Sequence, residues 1–139
     1  MDRPPGSTES DRQVVERIFA ASGETEELAS ESDLDYFTGL TGSGPAFPSL
    51  FGEAMIADAV NRGISLQVAE RAVKTMLVGV GRLLEGSEAT LSATVDTFLD
   101  YRGTTAAAIL AMREAGLNEA VRKGLAVALE KSKNMARNT

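Results

Sequence analysis

Leu40-Thr41-Gly42-Ser43-Gly44-Pro45-Ala46-Phe47 is the stretch on which the fold turns. Gly42 and Gly44 allow backbone angles that other residues resist, and Pro45 holds φ near the helical value. After them the run from Phe47 to Val60 is largely apolar and long enough for about four helical turns. The eight residues read as a glycine turn that launches a buried helix. Amides at such a start lack partners and face outward, so the turn can receive an anion. The same residues also make a helix–helix connection that binds nothing, the reading the residues alone favour, since most glycine turns do no more.

Working outward from this turn, the pattern stays helical in both directions. Toward the N-terminus, Pro4, Pro5, Gly6 and Ser7 mark residues 1–10 as a flexible tail. A first helix is expected over Asp11 to Ala21, capped by Ser10, with Val14, Val15, Ile18 and Phe19 on one stripe. Residues 24–31 carry four glutamates and read as a solvated linker rather than an edge strand. Ser32 caps a second helix from Asp33 to Thr41.

Toward the C-terminus, the third helix ends at Gly63 and Ser65 caps a fourth over Leu66 to Glu85. There Ala69, Ala72, Val73, Met76, Leu77, Val80 and Leu84 follow the 3.6-residue period. Gly79 and Gly81 interrupt this helix, which predicts that another backbone comes close. A fifth helix runs from Ala89 to Leu99, a sixth follows Thr105 and stops at Gly116, and Asn118 caps a last one to Arg137. The fold class is all-α, with six to seven helices. Short helices with this many apolar positions leave faces uncovered in one copy, which predicts a homodimer seamed along the fourth helix.

Composition limits the chemistry. The 139 residues make one domain, or a domain with a stub of another. Aromatics are only 5%, so the core is built from Ala, Leu, Val, Ile and Met. Net charge is −6, which repels phosphate backbones and argues against nucleic acid as partner. No apolar run is long enough for a membrane span, and the N-terminus is not a signal peptide. Zero Cys and zero His exclude thiolate catalysis, a Ser-His-Asp triad and the usual zinc sites. No metal constellation stands out. Chemistry is left to hydroxyls, carboxylates, backbone amides or a borrowed cofactor.

A second turn, Arg102-Gly103-Thr104-Thr105, has the same character. Gly103 lets a ligand approach the backbone, and two hydroxyls stand at the start of an Ala-rich helix. With Arg102 they form a seat for a carboxylate or phosphate, or else Thr104 simply caps the helix.

Taken with their spacing, the two turns resemble the C-terminal dimerisation domain of pyrroline-5-carboxylate reductase. The resemblance covers residues 33 to 135, including the stops at Gly63 and Gly116 and the final Glu130-Lys-Ser-Lys133. Residues 11–31 resemble a remnant of the dinucleotide-binding domain that precedes it, or a linker, and 32–139 the helical domain. The resemblance implies an intertwined homodimer and an NADP- or NAD-dependent reduction of a cyclic imine, as in proline biosynthesis, in the cytoplasm. The dinucleotide would be bound by the parent enzyme and not by this chain alone.

By the same resemblance, Gly103, Thr104 and Thr105 grip the carboxylate of an imino acid or proline-like ligand. Thr105 is the catalytic candidate, its hydroxyl bonding the ring nitrogen. Ser43, Gly44 and Pro45 form the opposite wall, with Ser43 and Gly44 next to the nicotinamide. One departure stands out: the family usually has Ser-Pro-Gly-Gly where this chain has Asp100-Tyr101-Arg102-Gly103. That departure leaves two alternatives: a paralogue acting on a different imine, or a non-catalytic dimerisation module with a degenerate site.

Overall fold

Seven helices and no strand make up residues 7–136, the part of the chain that the computed structural model describes. They are α1 (Glu9–Ala20), α2 (Glu31–Leu40), α3 (Ala46–Asn61), α4 (Leu66–Glu85), α5 (Leu91–Tyr101), α6 (Thr104–Glu114) and α7 (Leu117–Ala136). The all-α reading holds, and residues 24–29 form neither helix nor strand. Of the expected flexible tail, residues 1–6 lie outside the described residues, as does Arg137, while Glu9 and Ser10 belong to α1.

Several helix starts differ from expectation, and at α1 and α2 the reason is the reach of an acidic side chain back to the cap. Thr8, not Ser10, caps α1: its hydroxyl accepts from the Asp11 N–H at 3.2 Å. In return the Asp11 carboxylate accepts from the Thr8 N–H at 2.8 Å. Ser30, not Ser32, is the cap of α2, its N–H donating to the Asp33 carboxylate at 3.2 Å. α5 begins later than expected, because Thr90 accepts from the Ala93 N–H at 3.1 Å. Asn118 lies inside the first turn of α7 rather than capping it, since the Ala120 N–H already bonds the Gly116 carbonyl.

The chain divides into two compact units, one of residues up to Gly42 with those from Leu125 onward, the other Ser43–Gly124. In the first, α2 lies along the C-terminal part of α7. A Cβ on Gly39 would stand 2.8 Å from the Ala128 Cβ, and the Ser132 hydroxyl donates to Asp35 Oδ1 at 2.8 Å. In the second unit α3 packs on α4 and α5 on α6, and the two hairpins do not pack on each other. The α3/α4 seam is tight at Gly52, where a Cβ would stand 3.2 Å from Val73 Cγ1 and 3.3 Å from Leu77 Cδ1.

Little else is covered. Among the described residues the only buried hydrophobic side chains are Ala69, Val73 and Ala106. The expected burial of α3 therefore fails in the single chain: Gly52 alone is buried, and Leu50 is 64% exposed. Its apolar residues lie on every side of the helix, and α4 covers one side only. No backbone stands against Gly79 or Gly81 either, for a Cβ on each would meet open space. Fully burying a Leu or Val contributes about 1.5–3 kcal/mol, and most of α3 to α6 forgoes it here.

Candidate functional site

Leu40–Gly42 of the first candidate turn belong to the first unit and Ser43–Phe47 to the second, which also holds the whole of the second turn. The first is closed by ordinary helix-ending bonds. The Thr41 and Gly42 N–H groups both donate to the Phe37 carbonyl, at 2.9 and 3.2 Å. Gly42 is required by close approach rather than by its backbone angles, since a Cβ would meet the Thr38 carbonyl oxygen at 2.5 Å. The Ala46 N–H bonds the Ser43 carbonyl at 2.7 Å, so Ser43 and Pro45 wind directly into α3. Pro45 stands in helical geometry just before the first helical residue. Ser43 is half-buried, and Gly44 and Pro45 are exposed.

The second turn is built differently. α5 stops because Arg102 adopts the left-handed conformation, φ 54° and ψ 27°, the only non-glycine residue with positive φ among those described. Its N–H still bonds the Leu99 carbonyl at 3.1 Å. Gly103 follows in extended geometry as the N-cap of α6. Having no side chain, it leaves the amides of the first turn without a cap. Thr104 is thus the first helical residue and not the cap, which corrects the capping alternative.

Thr104 and Thr105 are exposed in that first turn, and their hydroxyls have no partner among the described residues. Other threonines behave otherwise: those of Thr38, Thr41, Thr94 and Thr97 bond the carbonyl four residues back. The start of α6 therefore presents unpaired N–H groups, two free hydroxyls and the positive end of the helix dipole at one exposed point.

The ring of Tyr101 lies against this point, a feature the sequence reading passed over. A Cβ on Gly103 would stand 3.0 Å from both Tyr101 Cδ1 and Cε1. An aromatic residue two before a glycine N-cap was the available signal. Asp100 and Arg102 make no ion pair with each other.

Two cavities lie elsewhere. One of about 660 Å³ runs between α3 and α4, lined by Leu50, Ile56, Leu66, Val73 and the Glu70–Lys74 pair at 3.6 Å. Another of about 590 Å³ lies between α1 and residues 25–27, spanned by the Arg12–Glu27 ion pair at 3.3 Å. Neither is lined by Ser43, Gly44, Pro45, Arg102, Gly103, Thr104 or Thr105. Among the described residues no group of three or more acidic side chains is placed to hold a metal ion. No described helix is long and apolar enough to cross a membrane.

The fold has clear counterparts. The family described as pyrroline-5-carboxylate reductase dimerisation matches residues 31–135. Pyrroline-5-carboxylate reductase 3 of Xenopus laevis is 33% identical over 138 residues, spanning 97% of this chain and 48% of the relative. A solved pyrroline-5-carboxylate reductase from Coxiella burnetii superposes with a TM-score of 0.82 at 25% identity, over 94% of this chain and 48% of that one. The Plasmodium falciparum pyrroline carboxylate reductase, crystallised with NADP bound, superposes with a TM-score of 0.74 at 26% identity, over 96% of this chain and 54% of that one. The chain spans about half the length of the curated relatives it matches.

Proposed function

The chain belongs to the pyrroline-5-carboxylate reductase dimerisation family, and from that premise we propose that it forms the helical half of an imine reductase of the proline-biosynthesis type. In this reading it pairs as a homodimer in the cytoplasm and supplies the seat for the substrate carboxylate. The observation that carries the reading is the uncapped, exposed start of α6, with its unpaired amides and the free hydroxyls of Thr104 and Thr105.

The roles follow from the chemistry. Amides of Thr104 and Thr105 hold the carboxylate, with Gly103 keeping the approach clear and Arg102 adding a cation nearby. The Thr105 hydroxyl bonds the ring nitrogen. Ser43, Gly44 and Pro45, on the other hairpin, form a wall. Since the hairpins do not pack on each other within one chain, a second copy would bring such a wall to α6. The iminium carbon is already electrophilic, so reduction needs positioning more than a strong acid.

A nicotinamide dinucleotide, NADP or NAD, would supply the hydride in the parent enzyme, with Ser43 and Gly44 beside its nicotinamide. The described residues hold no strand and so no strand–glycine–helix cradle for its pyrophosphate. They do not fit the dinucleotide, and no hydride step is assigned to this chain alone. Residues 11–31 are proposed as the remnant of the domain that would hold it. The match to relatives runs across 97% of the chain, although the dimerisation family begins only at residue 31.

Two measurements test the proposal. Titration with L-proline, followed by amide NMR, should move the Gly103, Thr104 and Thr105 signals, and Thr105→Ala should weaken binding about tenfold. No movement at those amides would overturn the carboxylate seat. Sedimentation should report a dimer. Gly79→Leu, which meets open space within one chain, should dissociate that dimer while leaving the helix content intact; a stable monomer in the parent chain would overturn the pairing.

A further inference from the structure

We propose that Asp35 and Ser132 are positioning residues, which lock the register of α2 on α7 and so fix where the first glycine turn begins. The Ser132 hydroxyl donates to Asp35 Oδ1 at 2.8 Å, joining residues 97 apart in the chain. Both side chains are half-buried, and a hydrogen bond to a carboxylate is stronger there than in open water. One helical turn further along α2, Gly39 is buried against Ala128, which stands one turn back along α7. The two helices therefore run antiparallel here and touch at two matched turns, about 6 Å apart.

Gly39 makes that register exclusive. A Cβ there would stand 2.8 Å from the Ala128 Cβ, with the α7 backbone 3.8 Å away, so only a residue without a side chain fits. A slip of α2 by one residue would bring Thr38 or Leu40 to Ala128, and neither has room. Gly39 supplies the closeness, and the Asp35–Ser132 bond supplies the direction.

The end of α2 is tied to this crossing. The Phe37 carbonyl accepts from the Thr41 and Gly42 N–H groups at 2.9 and 3.2 Å, and from the Thr41 hydroxyl at 3.0 Å. Gly42 lies so close to Thr38 that a Cβ would meet its carbonyl oxygen at 2.5 Å. With its last turn closed in this way, α2 passes any shift along α7 to Gly42, and to Ser43 next in the chain. The use of the clasp in binding rests on the reading of Ser43, Gly44 and Pro45 as a pocket wall. The clasp fixes the end from which that wall starts.

Amide NMR of the full chain, without ligand, tests this. Gly39→Ala forces α2 away from α7 and should shift the Thr41, Gly42 and Ser43 signals together. Adding Ala128→Gly, which moves the methyl group from α7 to α2, should return them to their parent positions even if the unfolding temperature falls. Asp35→Ala should shift the same three signals. Asp35→Asn should restore them, because its amide oxygen still accepts from Ser132. Signals that stay in place in Asp35→Ala would overturn the proposal, as would Asp35→Asn moving them equally far. So would a Gly39–Ala128 exchange that fails to restore them. If Gly39→Ala does not fold, the two Asp35 variants decide alone. No ligand enters, so failure of the α6 carboxylate seat leaves this outcome standing, and failure of the clasp leaves the seat untouched.

Discussion

The α3/α4 and α5/α6 hairpins stand in the same compact unit and use glycine in opposite ways. In α3/α4, Gly52 is buried inside the seam, where its missing side chain lets Val73 and Leu77 close on the helix. In α5/α6, Gly103 is placed at the joint itself, where its missing side chain leaves the amides of α6 open and admits the ring of Tyr101. The first hairpin is closed by packing at Gly52. The second retains an unpaired helix start and a non-glycine residue in left-handed geometry, features that lower stability and that occur where a chain must present its backbone to something else.

Breaking the tight seam should give the largest effect. Gly52→Leu has no room beside Val73 and Leu77 and should destabilise the chain by about 2–3 kcal/mol in urea unfolding, even after the gain in helix propensity. A loss under about 0.5 kcal/mol would show that the seam yields. The two hairpins differ also in how their helices begin. Thr90→Ala removes the cap of α5 and should cost about 1 kcal/mol. Thr105→Ala, at the uncapped start of α6, should leave stability unchanged, because its hydroxyl has no partner to lose.

The strained joint is expected to respond with the opposite sign. Arg102→Gly relieves the left-handed residue and should stabilise the chain by roughly 0.5–1 kcal/mol, read as a raised unfolding midpoint. A destabilisation would mean that the arginine side chain holds the turn. The smallest effect lies outside both hairpins. The hydrogen bonds from Thr8 hold the Asp11 carboxyl below its usual value. A depressed folded value means that the cap's contribution is complete above about pH 4 and is lost as pH falls through the folded value. Amide signals of α1 should therefore fray on acidification below that range, and Asp11→Asn should remove the dependence.

Much of the fold was legible because helical period, caps and stops are local. The turn at Leu40–Phe47 and the stops at Gly63 and Gly116 were read from short windows, and α3 and α4 fall within a residue or so of expectation. The starts of α1 and α2 were misplaced for an equally local reason. Thr8 with Asp11 and Ser30 with Asp33 are the reciprocal capping pattern, which was present in the sequence and passed over in favour of nearer serines. The reason for Gly42 was also misjudged, since what it avoids is the Thr38 carbonyl, an atom whose position depends on how α2 ends.

The candidate site was legible in kind only. Glycine followed by two threonines before an Ala-rich run points to a helix start, whatever surrounds it. That Gly103 rather than Thr104 takes the cap position depends on the left-handed Arg102, which no propensity favours. The ring of Tyr101 beside Gly103 is a consequence of that same turn.

By itself, then, the sequence determined an all-α chain of acidic character, its helix stops and the positions of its two glycine turns, because these depend on residues within one or two helical turns of each other. Only the tertiary structure decided which helices pair, that Gly52 closes a seam while Gly79 and Gly81 face open space, and that Tyr101 lies over the start of α6. Those outcomes depend on whether distant side chains have room, which volume and chain reversal settle and local pattern does not.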